Sequence, residues 1–135
     1  MQLPEKFHKN DSCRIEVIKS IEVELRKLFP ASYVEFLRLS NGGEGLSESR
    51  KEKKRENYIY LWRCEDIPLY NKDYTVQKWL SEDIIAFGMA GDYGYAFDYR
   101  KNEVPQIIGF DFGNMDIRDI CFEAETFDEF IKDWL

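Results

Sequence analysis

Residues 84–99 read Ile84-Ile-Ala-Phe87-Gly88-Met-Ala-Gly91-Asp92-Tyr93-Gly94-Tyr95-Ala-Phe97-Asp98-Tyr99. Two apolar runs, Ile84 to Phe87 and Tyr95 to Phe97, flank the stretch Gly88 to Gly94, which holds three glycines. Short apolar runs beside glycine favour strands over helices. Glycine has no Cβ and enters positive φ freely, which a tight reversal needs. The spacing therefore predicts a β-hairpin at the centre of a sheet, turning over Gly88 to Gly94. A phosphate-cradling loop needs a helix directly after its glycines, and here another strand follows. Asp92 is assigned to bonding its own turn backbone.

Outward from the hairpin, Arg100 to Glu103 is a polar turn and Val104 to Phe110 a strand, with Pro105 at its start where a missing donor is tolerated. Ile117 to Phe122 reads as a further strand without a clean apolar face. Thr126 and Glu129 form a capping box for a terminal helix whose stripe is Phe127, Phe130, Ile131 and Trp134. On the other side, Ser12 is placed to cap a helix running to about Leu28, with Ile18, Ile21, Leu25 and Leu28 on one face. Phe29-Pro30 breaks it and opens a second helix, with Ser32 and Glu35 as a capping box, Tyr33, Phe36 and Leu37 facing inward, and Asn41-Gly42-Gly43 as a left-handed stop. Tyr58 to Trp62 reads as a strand and Cys64 to Asn71 as a short helix with Glu65 or Asp66 near its start. Tyr74 to Leu80 reads as a strand piece or a turn.

Strands grouped between helices, without βαβ alternation, specify an α+β fold. The expectation is one domain over residues 1–135, with an N-terminal helix pair and a C-terminal helix packed on a mostly antiparallel sheet. Residues 1–11 are expected to be loose. Glu44 to Asn57 (EGLSESRKEKKREN), with five basic and four acidic residues, is expected to be a mobile charged loop.

A chain of 135 residues buries enough surface to fold without staples. Cys13, Cys64 and Cys121 are odd in number and scattered, which fits reduced thiols and neither disulfides nor zinc. No apolar stretch of signal-peptide or membrane-span length begins the sequence, so a cytoplasmic location is expected. The net charge of −7 is uneven: residues 1–57 carry 12 Lys and Arg against 10 Asp and Glu, and residues 58–135 carry 7 against 16. An acidic half repels nucleic acid and anionic membrane, and it attracts basic proteins.

Catalytic signatures are absent from this pattern. His8 is the sole histidine and lies in the N-terminal segment, so neither a Ser/His/Asp nor a Cys/His mechanism has an anchored base. The aspartates Asp92, Asp98, Asp111, Asp116 and Asp119 lack EF-hand spacing, and no catalytic, cofactor or metal residue is assigned. They leave open a small carboxylate-dependent hydrolase. A binding surface suits them better, with Asp92, Asp98, Asp111 and Asp116 as its charges and Trp62, Tyr93 and Tyr95 as candidate aromatic anchors.

Leu28-Phe-Pro-Ala-Ser-Tyr33-Val-Glu-Phe36-Leu37, followed by Ser40-Asn-Gly-Gly43, resembles the early signature of the SUKH superfamily, the Smi/Knr-like proteins. Ile85 to Gly88, Tyr95 to Asp98 and Ala124 to Phe130, with its Phe-x-x-Phe pattern, extend the resemblance over nearly the whole chain. Phe29, where leucine usually precedes the proline, and a charged insertion at Ser47 to Asn57 depart from it. The resemblance implies an α+β fold, no catalysis or cofactor, and function by binding. Such domains include bacterial immunity proteins that neutralise polymorphic or contact-dependent toxins, often nucleases. The expected partner is thus a basic protein, a cognate toxin domain, bound by a monomer or weak dimer; nucleic acid and membrane are not expected partners. A regulatory scaffold like the fungal cell-wall-assembly members is the alternative.

Overall fold

A computed structural model describes residues 3–48 and 56–134. Its centre is an antiparallel sheet in sequential order: β1 (Phe7–Lys9), β2 (Gly43–Glu48), β3 (Glu56–Leu61), β4 (Ile84–Ala90), β5 (Tyr93–Asp98), β6 (Gln106–Asp111) and β7 (Cys121–Ala124). The helices are α1 (Ile15–Leu25), α2 (Ala31–Leu39), α3 (Ile67–Asp73), α4 (Val76–Trp79) and α5 (Phe127–Trp134). The α+β, mostly antiparallel expectation holds, and every pairing in the sheet is antiparallel.

The β4–β5 hairpin is tighter than its glycines suggest. Its turn is Gly91-Asp92 alone, with Gly91 at φ 59°, while Gly88 and Gly94 lie inside the strands. Those two positions exclude a side chain because neighbours fill the space: a Cβ at Gly88 would stand 2.8 Å from Tyr60 O, and one at Gly94 2.5 Å from the Phe110 ring. A register slip between Ala86 and Gly88 leaves Phe87 bulged. Phe87 thereby stacks on Phe97 at 4.4 Å and meets Phe130 edge-on at 5.6 Å.

One face of the sheet carries an aromatic core beneath α2 and α5. Tyr33 of α2 meets Phe97 and Phe127 at 4.9 Å each, and Phe130 of α5 meets Tyr95 at 4.9 Å. The predicted stripe Phe127, Phe130, Ile131 and Trp134 is buried throughout. Thr126 Oγ1 accepts from the Glu129 N–H at 3.1 Å, and Glu129 Oε2 returns to the N–H of Glu125, one residue earlier than in the usual capping box.

β3 pairs with only the second half of β4, from Gly88 to Ala90. The exposed edge of the first half is taken by α3 and α4. Asn71 accepts from the Ala86 N–H and donates to the Ala86 carbonyl, both at 2.9 Å, and Gln77 donates to the Ile84 carbonyl at 2.7 Å. A buried strand edge without such partners would leave costly unpaired backbone groups.

Several elements depart from the sequence reading. Phe7–Lys9, expected to be loose, is an edge strand because Phe7 buries against Phe36 and its backbone pairs with β2. Of the expected mobile loop Glu44 to Asn57, residues 44–48 belong to strand β2 and 56–57 open strand β3; the charged residues 49–55 lie outside the described residues. Tyr74 to Leu80 contains the short helix α4 rather than a strand, since Gln77 must reach β4. Ile117–Asp119 is a single 3₁₀ turn and the strand begins only at Cys121, which accounts for the mixed pattern over 117–122. Helix α1 starts at Ile15 and ends at Leu25, so Leu28 falls outside it and is 75% exposed. Neither Ser12 nor Ser32 caps a helix, and α2 ends on an extended Ser40.

The signature Ser40-Asn-Gly-Gly43 has a different role from a helix stop. Asn41 Oδ1 accepts the Cys64 N–H at 2.8 Å while its amide donates to Glu65 at 2.6 Å, and its N–H donates to Asp11 O at 2.8 Å. Ser40 Oγ accepts from Asn10 N–H at 2.9 Å. The motif ties the N-terminal segment to the turn that precedes α3.

Candidate partner-binding surface

The β4–β5 turn and the end of β6 converge at one end of the sheet. The Phe112 N–H donates to Asp92 O at 2.9 Å, Tyr93 pairs with Asp111, and Asp111 bridges to Asn114. The Asn114 amide also donates to Asp119 at 3.3 Å and Tyr93 to Glu123 at 2.8 Å, so Asp92, Asp111, Asp119 and Glu123 lie on linked turns and strand ends, an acidic pole in which Arg118 is bound to Asp116. The chain does this with short turns rather than helices, because Gly91, Gly113 and Asn114 allow reversals that bulky residues resist.

Each carboxylate has its own setting. Asp92 is exposed and its side chain makes no hydrogen bond among the described residues, against the expectation that it would bond its own turn. Asp111 is exposed and accepts the Gly113 N–H at 2.7 Å. Asp116 accepts from Arg118 at 2.6 to 3.2 Å through the guanidinium and at 2.9 Å through the backbone, and these bonds pull its pKa down to about 2. Tyr93 is half-buried and donates to Glu123 at 2.8 Å. Burial, with Cys121 and Glu123 beside it, pushes its phenol well above the usual range, so it stays a donor.

Three of the residues expected at a contact surface are inside the protein. Trp62 is 1% exposed and Tyr95 0%, because both pack under other rings. Trp62 backs Tyr70, Tyr74 and Phe112 at 5.0, 6.3 and 6.4 Å, and Tyr95 backs Tyr93 at 5.4 Å. Asp98, 3% exposed, lies at the far end of β5, bound by Arg100 and Gln106. The aromatic surface instead comes from residues the sequence reading passed over: Tyr74, 40% exposed and 4.6 Å from Phe112, and Phe122, 59% exposed on β7. No local pattern marked either residue: Tyr74 lies in the turn between α3 and α4, and Phe122 sits in a short strand without alternating burial.

The arrangement offers little to acid–base chemistry. A carboxyl that donates a proton near neutrality needs a raised pKa, whereas Asp98 and Asp116 are both lowered. Among the described residues, no three His, Cys, Asp or Glu side chains come together as a metal-binding group. No helix among them is long and apolar enough to cross a membrane. What the surface presents is the exposed carboxylates of Asp92 and Asp111 and the exposed rings of Tyr74 and Phe122.

Comparison with known families matches residues 12–133 to the model described as SMI1 / KNR4 family (SUKH-1). Comparison with curated individual proteins finds no match.

Proposed function

The chain belongs to the SMI1/KNR4 (SUKH-1) family, and from that premise we propose that it is a non-catalytic cytoplasmic immunity protein that binds and neutralises a cognate toxin through its acidic pole. Members of the family are generally binding proteins with immunity or regulatory roles. The observation that carries the choice is the exposed pair Asp92, in the β4–β5 turn, and Asp111, at the end of β6, which the Phe112 N–H bond to Asp92 O brings to one end of the sheet. A nuclease toxin presents basic substrate-binding surface, which such a pole can occupy and which steers encounter at low salt.

The test is capture of partners by the tagged full chain from its source cells at low and high salt, beside an Asp92→Lys/Asp111→Lys variant. The reading expects a stoichiometric basic protein with toxin activity, retained at low salt and lost by the variant. Recovery of cell-wall or signalling proteins equally by both chains contradicts it and favours a regulatory role.

A further inference from the structure

At the opposite end of β5 from the acidic pole lies an open groove of about 1070 Å³ between the α1–α2 linker, the β5–β6 turn and the start of α5. A six-residue strand separates the two ends by roughly 20 Å.

The linker is held in place by its own sequence. Arg26 takes a left-handed conformation at φ 57°, and the Lys27 N–H reaches Glu22 O while the Arg26 N–H reaches Val23 O, both at 3.2 Å. That is a Schellman closure with arginine where glycine is usual. The Glu22 carboxylate accepts the Phe29 N–H at 2.7 Å, and Tyr99 donates its hydroxyl to Leu28 O at 2.9 Å. Phe29 is driven into the core against Tyr33 at 5.0 Å. Leu28 is consequently left pointing out, 75% exposed, and Val104 in the β5–β6 turn is 67% exposed.

Around this apolar floor the charge reverses. Arg26, Lys27, Arg100 and Lys101 line the groove against Glu103 and Asp128, in a protein whose net charge is −7. Lys27 and Arg100 are shared with Asp83 and Asp98, whereas Arg26 and Lys101 have no ion pair among the described residues. Helix α2 also starts here without a side-chain cap, which adds the positive end of its dipole.

We infer that this groove docks an extended acidic peptide segment of another protein, with an aliphatic side chain seated between Leu28 and Val104 and carboxylates on Arg26 and Lys101. Charge complementarity selects an acidic occupant, and the exposed apolar walls require an aliphatic one. The groove is large and open along the linker and the turn, which suits an extended peptide. The inference is independent of the immunity reading, since no residue of the acidic pole takes part.

The experiment titrates the isotope-labelled full chain with a synthetic decapeptide alternating aspartate and leucine, and with versions carrying serine for leucine or lysine for aspartate, while amide NMR shifts are followed. Binding is expected below about 1 mM, with shifts confined to residues 26–32 and 99–105. The serine and lysine versions should bind at least about tenfold more weakly, as should the Arg26→Gly/Lys101→Glu chain against the original peptide. Arg26→Gly keeps the fold, because glycine adopts φ 57° without strain. Absence of binding, shifts spread elsewhere, equal binding of the serine peptide, or undiminished binding by the double variant overturns the inference.

Discussion

Asn71 supplies Ala86 with both hydrogen bonds that a neighbouring strand would have made, accepting from its N–H and donating to its carbonyl at 2.9 Å. The same side chain donates to Ile67 O at 2.8 Å and accepts from Gln77 at 2.9 Å. A carboxamide is the one neutral side-chain group presenting a donor and an acceptor side by side, as a peptide unit does. A single residue of α3 thus ends the sheet's ladder on this side of β4, so β3 pairs with β4 only from Gly88 to Ala90.

Asn71→Ala should therefore cost about 2–4 kcal/mol, because it opens a cavity and leaves the backbone groups of Ala86 buried without partners. Asn71→Asp should cost more at neutral pH, since its carboxylate would face the carbonyls of Ile67 and Ala86. Urea denaturation of the three chains checks the order; an Asn71→Asp protein as stable as the parent would contradict it.

Buried Asp98 pairs at 2.9 Å with Arg100, whose side chain reaches the surface, and Gln106 also donates to the carboxylate at 3.0 Å. Burial pushes the Asp98 carboxyl up, and the bonds from Arg100 and Gln106 outweigh it and hold the group below its usual value. A depressed folded pKa stabilises fully above the unfolded value, about pH 3.9, and the gain is lost as pH falls through the folded value. Arg100→Ala should lower stability by about 2 kcal/mol at pH 7 by leaving that carboxylate unpaired. The deficit should narrow below about pH 4, as Asp98 protonates; a pH-independent deficit in denaturation curves would count against the pairing.

Tyr93 lies over Gly109, where an added Cβ would stand within 2.5 Å of the ring's Cζ. Gly109→Ala must displace this ring and should cost about 1–3 kcal/mol. It should also break the Tyr93–Glu123 bond. Tyrosine fluorescence and denaturation together test this, and an unchanged Tyr93 environment would refute it.

Much of the fold was legible because its signals are local. The Phe127–Trp134 stripe and the Thr126–Glu129 pair name α5 by spacing alone, and the apolar runs around Gly91 name β4 and β5. What escaped depends on distant partners. Gly43–Glu48 is a strand because β3 offers it an edge, Phe7–Lys9 because β2 then offers the next, and α4 forms where Gln77 reaches Ile84. At the candidate surface, charge was readable and burial was not. Asp92 and Asp111 are exposed, whereas Trp62 and Tyr95, chosen as large aromatics, support the rings above them. Composition marks an aromatic as valuable and leaves open which side of the sheet it serves.

Arg118 is paired with Asp116 in the acidic pole at 2.6 Å. Arg118→Ala should release Asp116 from about 2 towards the ordinary aspartate value near 3.9, readable as a carboxyl ¹³C titration. It should also quicken association with a basic partner at low salt, by making the pole more negative. A slower association would place Arg118 itself in the contact.

The most direct test of the acidic pole is the association rate constant with the captured basic partner, measured for the parent and for Asp92→Lys/Asp111→Lys between about 20 and 300 mM salt. The account predicts that the parent's rate falls by about tenfold or more across that range, while the variant is slow and nearly flat. Equal rates and equal salt slopes for the two chains would contradict it.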